Sequence, residues 1–229
     1  SGNVGVGIQD ASYKLDVNGK VNWTGLASTA GTTGLKYVTP QMYGAAGDGT
    51  TDDTTALSNA LNSGYPVRLH GKFRITSTIT VAVNSSMGGL NVQGSGASQA
   101  KIIIDFTTGN GLVITVADVA NPWGSATEAV TLRDFTFEPN KANTGTACAI
   151  YGQIASGSSE PTFLIENVNV LPATTSVGCS TGAFYFKDCR CSTIRSCTLA
   201  GYYGNTYGSG IVWTGGSLSA PVHFTIDNC

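Results

Sequence analysis

Charge is scarce in this sequence. Asp, Glu, Lys and Arg make up 11% of the 229 residues, against roughly 25% in an average soluble protein. The formal net charge is −2 and no stretch gathers basic residues, so the composition argues against a nucleic-acid partner. Histidine occurs only at His70 and His223, which leaves no basis for a Ser-His-Asp arrangement.

Long apolar runs are also missing. The longest are KIIIDF at residues 101–106 and GLVITVADVA at residues 111–120. A membrane-spanning helix needs about 20 apolar residues, so we expect no membrane insertion. The sequence also shows no signal-peptide pattern.

Small and turn-forming residues are abundant instead. The chain has 30 glycines, and hydrophobic residues account for 41% of it. Frequent glycine favours many tight turns between short strands, while the apolar share is enough to build a core. We therefore predict an all-β protein with little helix.

The chain divides into two parts by composition. Residues 1–37 contain an Asn-Gly hairpin signal at Asn18-Gly19, followed by a small, polar, glycine-containing stretch. We predict that this part is an attachment or stalk segment. Residues 38–229 form the second predicted domain.

Three aspartates, Asp48, Asp52 and Asp53, precede a short amphipathic stretch. We predict a helix over residues 52–62, with Thr51 as its N-cap and the two later aspartates in its first turn. A cation site and a catalytic pair are the alternatives, although the spacing fits no calcium loop. The predicted apolar face consists of Ala56, Leu57, Ala60 and Leu61.

A six-residue phrase recurs after the helix, in the order apolar, polar, small polar, apolar, polar, apolar. Its copies begin at Leu132, Ile165, Ile194 and, as a partial copy, Ile226. Spacings of about 30 residues are typical of solenoids. A further copy begins at Phe186, and we interpret it as the preceding strand of the same turn of the solenoid.

The third position of the phrase predicts a bend, because its residue types tolerate a left-handed backbone and bond to their own main chain. These residues are Asp134, Asn167, Asp188, Ser196 and Asn228. Stacking at about 4.8 Å would align such side chains into ladders. We predict a right-handed parallel β-helix capped by the helix, and we expect the repeats to continue beyond Cys229.

Two motifs carry a resemblance to a known family. The stretch YGAAGDGTTDDTTALSNALNSG is similar to the phrase that opens pectate-lyase-like β-helices, especially bacteriophage tailspikes. The matching residues are Gly44, Ala45, Gly47, Asp48, Gly49, Asp52, Asp53, Thr54 and Ala56. A weaker motif near the N-terminus resembles one common in phage tail fibres. Its matching residues are Gly5, Gly7, Lys14, Leu15, Val17 and Gly19.

The resemblance implies a homotrimeric virion protein, assembled in the host cytoplasm. Its N-terminal part would attach to phage tail or baseplate proteins. Its β-helix would bind a bacterial surface polysaccharide and often cleave it, as an endoglycosidase or a polysaccharide lyase. A non-catalytic connector or adhesin of the tail is the alternative. The opening motif marks the fold in that family and carries no catalytic residue.

Glycoside cleavage requires a pair of carboxylates, and three acidic residues are candidates for it. Glu138 and Glu160 each precede a proline, which suggests exposed loops, and Asp227 is the second residue of the last, partial copy of the phrase. Solvated surface acids are the alternative interpretation of all three.

Aromatic residues gather among glycines at residues 201–213. Tyr202, Tyr203, Tyr207 and Trp213 are candidates for stacking on sugar rings. Packing of these rings on the protein itself is the alternative.

We predict no metal site and no cofactor. The six cysteines are Cys148, Cys179, Cys189, Cys191, Cys197 and Cys229. Their Cys-x-Cys spacing is unlike ordinary zinc knuckles. We favour buried packing of these side chains, with disulfides of undetermined pairing as an alternative.

Overall fold

The computed structural model describes most of the chain from Tyr37 onward. The described residues are 37–84, 87–116, 129–144, 146, 149–154, 162–174, 182–189, 191–200, 209–214 and 223–229. They belong to one compact unit, Leu35–Cys229. The predicted N-terminal segment, residues 1–37, lies outside them except for Tyr37.

The described chain is mostly β-structure. It begins with a 3₁₀ helix, Pro40–Tyr43, and has one α-helix, α1 (Thr54–Leu61). The strands are β1 (Asp48–Asp52), β2 (Val67–Leu69), β3 (Gly71–Ile75), β4 (Ile79–Val83), β5 (Leu90–Gly94), β6 (Ala100–Ile104), β7 (Leu112–Val116), β8 (Ala129–Pro139), β9 (Ile150–Ile154), β10 (Thr162–Val170), β11 (Gly182–Lys187), β12 (Cys191–Arg195), β13 (Ser209–Thr214) and β14 (His223–Asp227).

Within the described residues these strands form two sheets. Sheet A has nine strands, with β1-β3-β6-β8-β10-β12-β14 in order and β2 and β5 joined to its side through β8. Sheet B has five strands, in the order β13-β11-β9-β7-β4. Every pairing between these strands is parallel, for example β8–β10 and β10–β12 in sheet A and β7–β9 and β9–β11 in sheet B. From β6 onward the chain visits the two sheets alternately.

The recurring phrase sets the register of sheet A. Leu132 pairs with Ile165, Ile165 pairs with Ile194, and Ile194 pairs with Ile226. The copy that begins at Phe186 starts at the end of β11 of sheet B and ends at Cys191, the first residue of β12 of sheet A. Its start therefore lies in the preceding strand, as predicted.

The predicted bends are present at the third position of the phrase. Five non-glycine residues have a positive φ, between 50° and 64°: Asp134, Asn167, Asp188, Ser196 and Asn228. Asp134 and Asn167 fall inside the long strands β8 and β10. At the Asp134 bend β8 changes its partner, so its first half pairs with β5 and its second half with β6. The Asn167 Nδ2 donates to Asp134 Oδ1 at 3.0 Å, so these two bend side chains are in contact across neighbouring strands.

The core lies between the inward faces of the two sheets. The alternating burial of β4, β5 and β7 places every second side chain inside, as expected for strands with one buried face. Large rings are accommodated beside small residues. A Cβ at Gly152 would lie 2.9 Å from the Phe186 ring and 3.1 Å from the Phe163 ring, so glycine leaves room for both.

The amphipathic helix is confirmed, but its predicted start is wrong. Helix α1 begins at Thr54 with Asp53 as N-cap, so Thr51 is not the cap and Asp52 lies outside the first turn. The reason is tertiary, because residues 48–52 form β1 and pair with β3. Thr51 instead donates its hydroxyl to Asp48 Oδ2 at 2.8 Å.

Asp53 occupies the N-cap position, but its side chain makes no capping hydrogen bond. It is buried, and its carboxylate accepts hydrogen bonds from the backbone N–H groups of Ala46 at 2.7 Å and Gly47 at 3.0 Å. The side chain therefore fixes the glycine-rich turn that leads into β1. The predicted apolar face of α1 is buried, and the helix packs against the 3₁₀ helix, β3 and β4.

Three thiols are free among the described cysteine side chains. Cys189 and Cys197 are buried, as predicted, and Cys229 is exposed. Burial raises the pKa of Cys189 to about 12 and that of Cys197 to about 11. Cys148 and Cys179 lie outside the described residues, and Cys191 lies in β12.

Candidate functional site

A cleft opens where the chain passes from sheet A to sheet B. It has a volume of about 600 Å³ and is lined by Thr76–Thr78, Asp105–Thr108 and Lys141. These residues belong to the connections that follow β3, β6 and β8. Because β3, β6 and the second half of β8 are paired in register, their connections lie side by side. We call this feature the hydroxyl cleft.

Hydroxyl groups dominate the lining of the hydroxyl cleft. Thr76, Ser77, Thr78, Thr107 and Thr108 contribute five of them. Each hydroxyl can both donate and accept a hydrogen bond. Ser77, Thr107 and Thr108 are exposed, so their side chains are accessible to a ligand. Phe106 adds an apolar surface.

Asp105 anchors the inner side of the cleft through an ion cluster. Its side chain is 8% exposed, and it accepts from Arg74 Nε at 2.7 Å and from Asn140 Nδ2 at 3.1 Å. Lys141 Nζ lies 3.2 Å from Asp105 Oδ1, the oxygen that also accepts from Asn140. Burial acts to raise the pKa of Asp105, but hydrogen bonds from Arg74, Lys141 and Asn140 outweigh it and hold the pKa below its ordinary value.

Asp52 is in register with Arg74 in the β1–β3 pairing, whereas Asp105 follows β6, which lies on the other side of β3. Asp52 accepts from the Thr54 hydroxyl at 2.5 Å and from the Thr76 hydroxyl at 2.7 Å. The Thr54 hydrogen bond is the main cause that lowers the pKa of Asp52. Both carboxylates are thus held in the ionised form, whereas a general acid must carry a proton near neutral pH. Asp52 and Asp105 are therefore poor candidates for a catalytic pair.

The structure does not bring the predicted acidic candidates together. Glu138 lies in β8, not in a loop as expected, and pairs with Lys101 Nζ at 2.5 Å. Asp227 is exposed in β14, in register with Arg195. Strands β8 and β14 are three spacings apart in sheet A, which corresponds to roughly 14 Å. That exceeds the separation of roughly 6.5–9.5 Å in inverting glycosidases. Glu160 lies outside the described residues.

Of the predicted aromatic candidates, the structure describes Trp213, and this residue does not line the hydroxyl cleft. Trp213 lies in β13 of sheet B and is 38% exposed. Its indole Nε1 donates to the Cys189 carbonyl at 2.9 Å, so its polar edge is already engaged. Tyr202, Tyr203 and Tyr207 lie outside the described residues.

Sequence reasoning missed a pair of stacked tyrosines on sheet B. The rings of Tyr151 and Tyr185 have centroids 5.2 Å apart and planes within 5° of parallel. They are register partners in β9 and β11. Burial raises the pKa of Tyr151, and the neighbouring Tyr185 raises it further. The alternation of inward and outward side chains in IYGQI and AFYFK was the sequence signal that could have placed both rings on the outer face.

The part of the chain that the structure describes contains neither a metal-binding cluster nor a helix that could span a membrane. No group of three or more His, Cys, Asp or Glu side chains there is arranged to hold a metal ion. Among the same residues, no helix has the length and apolar character needed to cross a bilayer.

Comparison with known proteins finds phage proteins at low identity or over short stretches. No protein-family model matches the chain. The pre-neck appendage protein of Bacillus phage B103 is 30% identical over 122 residues, which is 53% of this chain and 12% of that protein. The capsule K30/K69-specific depolymerase of Klebsiella phage K64-1 is 64% identical over 28 residues, 12% of this chain and 4% of that protein. The chain thus spans about an eighth or less of these curated relatives.

Solved phage structures also match. ORF18 of Geobacillus virus E2 is 17% identical, with a TM-score of 0.37 over 85% of this chain and 48% of that chain. The pre-mature gene product 12 of bacteriophage phi29 is 18% identical, with a TM-score of 0.34 over 83% of this chain and 33% of that chain.

Proposed function

We propose that the chain is part of a phage tailspike-type protein that binds a bacterial surface polysaccharide in the hydroxyl cleft. The observation that carries this proposal is the cleft itself. Five hydroxyl side chains and an apolar ring come together from successive connections. A polysaccharide presents many hydroxyl groups and apolar ring faces, and this lining can pair with both.

The fold that we propose is a right-handed parallel β-helix. Parallel pairing, alternation between two sheets and left-handed bends at a fixed position of the repeat support it. Crossover connections between parallel strands are right-handed in about 98% of cases. In such a solenoid each repeat buries its apolar face against its neighbours, and α1 would cover the first of them.

The proposed setting is the virion. Similarity to an appendage protein and a capsule depolymerase of phages supports it. Residues 1–37 would then attach the protein to the tail, and the chain would act as a homotrimer. The attachment role and the homotrimer are both taken from the resemblance of the N-terminal motifs to phage tail proteins.

Cleavage of the polysaccharide is the second candidate function, favoured by the similarity to the capsule depolymerase. The carboxylates beside the hydroxyl cleft do not support it, because Asp52 and Asp105 are both held ionised. We therefore propose that the described residues bind the polysaccharide without cleaving it. A catalytic pair would have to come from other carboxylates.

A glycan-binding experiment tests the proposal. The full chain is applied to a panel of purified capsular and O-antigen polysaccharides, and the affinity for any that bind is measured by calorimetry. We expect Thr108→Trp to weaken binding at least tenfold, because an indole placed on the exposed Thr108 would fill the cleft. Thr193→Trp, in β12 of sheet A, is the matched control and should leave affinity unchanged.

Two outcomes would contradict the proposal. One is that no polysaccharide binds to the folded full chain. The other is that Thr108→Trp and Thr193→Trp bind equally well. Analysis of the same mixtures for released oligosaccharides separates binding from cleavage, since only a depolymerase would produce them.

A further inference from the structure

Two cysteines occupy the same place in successive repeats. Cys197 and Cys229 are the fourth residues of the copies of the phrase that begin at Ile194 and Ile226. These two copies are paired in register through the parallel strands β12 and β14. Neighbouring strands lie about 4.8 Å apart, so the repeat places the backbones of the two cysteines at about that distance.

The backbone that carries the two cysteines has the same shape in both repeats. Each cysteine follows a residue in the left-handed conformation, Ser196 with a φ of 53° and Asn228 with a φ of 50°. The Ser196 N–H donates to the Asp227 carbonyl at 3.0 Å, so the pairing of the two copies continues as far as the bend. Both cysteine side chains therefore leave the bend in the same direction.

The two thiols also have matching surroundings and contact each other. Cys197 Sγ lies 3.2 Å from the carbonyl oxygen of Arg195, and Cys229 Sγ lies 3.3 Å from that of Asp227, two residues earlier in each case. Each sulfur is also 3.7–3.8 Å from a carbonyl oxygen of the preceding repeat. The two side chains are within hydrogen-bonding reach of each other.

The other cysteines that the structure describes are not placed to pair with Cys197. Cys189 precedes β12 and Cys197 follows it, so the five residues of that strand lie between them. Five strand residues span about 16 Å, whereas a disulfide requires Cα atoms within about 7 Å. Cys191 is in register with Thr162 and His223, neither of which is a cysteine.

We propose that Cys197 and Cys229 form a redox modification site, which becomes a disulfide bond when the protein meets a small-molecule disulfide such as oxidised glutathione. The strand spacing falls within the range of about 4.4–6.8 Å that disulfides span between Cα atoms. The Cβ atoms must approach to about 3.5–4.5 Å. Cys229 can make this movement because β14 is the last strand of sheet A within the described residues. The bond would fasten β14 to β12, and this inference goes beyond the proposed function because it involves no polysaccharide.

The exchange has two steps, and Cys229 reacts first because its thiol is exposed. Cys197 is buried, and burial raises the pKa of its thiol to about 11. The Cys229 thiolate attacks one sulfur of oxidised glutathione, forms a mixed disulfide and releases one glutathione thiolate. The Cys197 sulfur then loses its proton and attacks the Cys229 sulfur, which forms the protein disulfide and displaces the second glutathione thiolate. The two released thiolates take up the two protons, so the cysteines lose two electrons and oxidised glutathione gains them.

Peptide mapping tests the proposal directly. The sequence has no Lys or Arg after Arg195, so trypsin releases residues 196–229 as one peptide, whose two cysteines are Cys197 and Cys229. The folded full chain is incubated with oxidised glutathione, denatured in iodoacetamide to alkylate the remaining thiols, and digested without a reductant. We expect this peptide to carry no alkyl group and to be lighter by two hydrogen atoms than the reduced, unalkylated peptide. Cys189, which lies on a different tryptic peptide, should be alkylated.

Single substitutions provide the controls. Cys197→Ser and Cys229→Ser should each abolish the bond, whereas Cys189→Ser, which changes another buried thiol, should leave it intact. Oxidation should raise the melting temperature of the unmodified protein and of Cys189→Ser by roughly 4 °C or more, and that of Cys229→Ser should not change. Circular dichroism of each variant shows whether it has folded, and the mapping of the unmodified protein carries the test if a variant has not.

Two results would overturn the inference. One is a peptide 196–229 in which both cysteines are alkylated after the folded protein has been incubated with the oxidant. The other is a peptide in which Cys229 keeps glutathione while Cys197 is alkylated, because this would show that the two sulfurs cannot reach each other.

Discussion

Single side chains hold the bends and the cleft in place. Asp134 and Asn167 adopt a left-handed backbone with φ of 64° and 51°, a conformation that costs most residues about 1–2 kcal/mol. Asp and Asn tolerate it because their short side chains hydrogen-bond locally, and here the Asn167 amide also reaches Asp134 in the preceding repeat. The bend at this position could therefore be predicted from the residue type alone, before the pairing of the strands was known.

Asp105 leads to a prediction about pH. Its folded-state pKa lies below its ordinary value of 3.8, so its contribution to stability is complete above about pH 4 and is lost as pH falls through the folded pKa. We expect Asp105→Asn to lower the free energy of unfolding by about 1–3 kcal/mol at pH 7, because Arg74 and Lys141 lose their charged partner.

The measurement is denaturant unfolding between pH 2 and pH 7. The difference between the unmodified protein and Asp105→Asn should shrink as the pH falls below 4. Asn59→Ala, an exposed change in α1, serves as control and should give a small difference that does not vary with pH. A constant difference for Asp105→Asn across the range would show that the ion cluster does not stabilise the fold.

At the scale of elements, the strands were easier to predict than the start of the helix. The alternation of ITVAV and LNVQG predicts β4 and β5 because each buries one face. The start of α1 could not be predicted locally, because pairing of β1 with β3 recruits residues 48–52 and the buried Asp53 carboxylate binds the turn before them. The cleft was missed for a similar reason, since it exists only when three connections lie side by side.

Gly94 tests how closely β5 approaches the bend of β8. A Cβ at this position would lie 2.1 Å from the Asp134 carbonyl oxygen, a backbone atom that cannot rotate away. We expect Gly94→Ala to destabilise the protein by about 1–3 kcal/mol, the usual cost of overpacking. At Gly210 the nearest atom would be 3.5 Å away, so Gly210→Ala should change stability little. Equal thermal melting of the two variants would contradict this account of the bend.

At the scale of the whole molecule, the repeats align their charges as well as their core. Arg133, Glu166, Arg195 and Asp227 are register partners on four successive strands, so the sign alternates along sheet A. Glu166 and Arg195 form an ion pair at 3.0 Å. The sequence shows that the second position of the phrase is polar. That positive and negative side chains alternate along the sheet at this position could be seen only when the register was known.

Reversing one charge in this row should be unfavourable. Glu166→Lys would place three positive charges side by side, and we expect a loss of about 0.5–1 kcal/mol at low salt, because exposed ion pairs contribute little individually. The loss should shrink at 1 M salt, where screening acts within about 3 Å. Glu166→Gln, which removes the charge without reversing it, should cost less. An effect of Glu166→Lys that does not depend on salt would point to packing instead of charge.

The placement of the hydroxyl cleft has a consequence for how this protein can diversify. Its walls belong to three connections whose flanking strands are held by separate pairings. Insertions or deletions in one connection would reshape the pocket while the register on either side stayed as it was. New specificities could therefore arise by independent small steps, without rebuilding the scaffold that carries them.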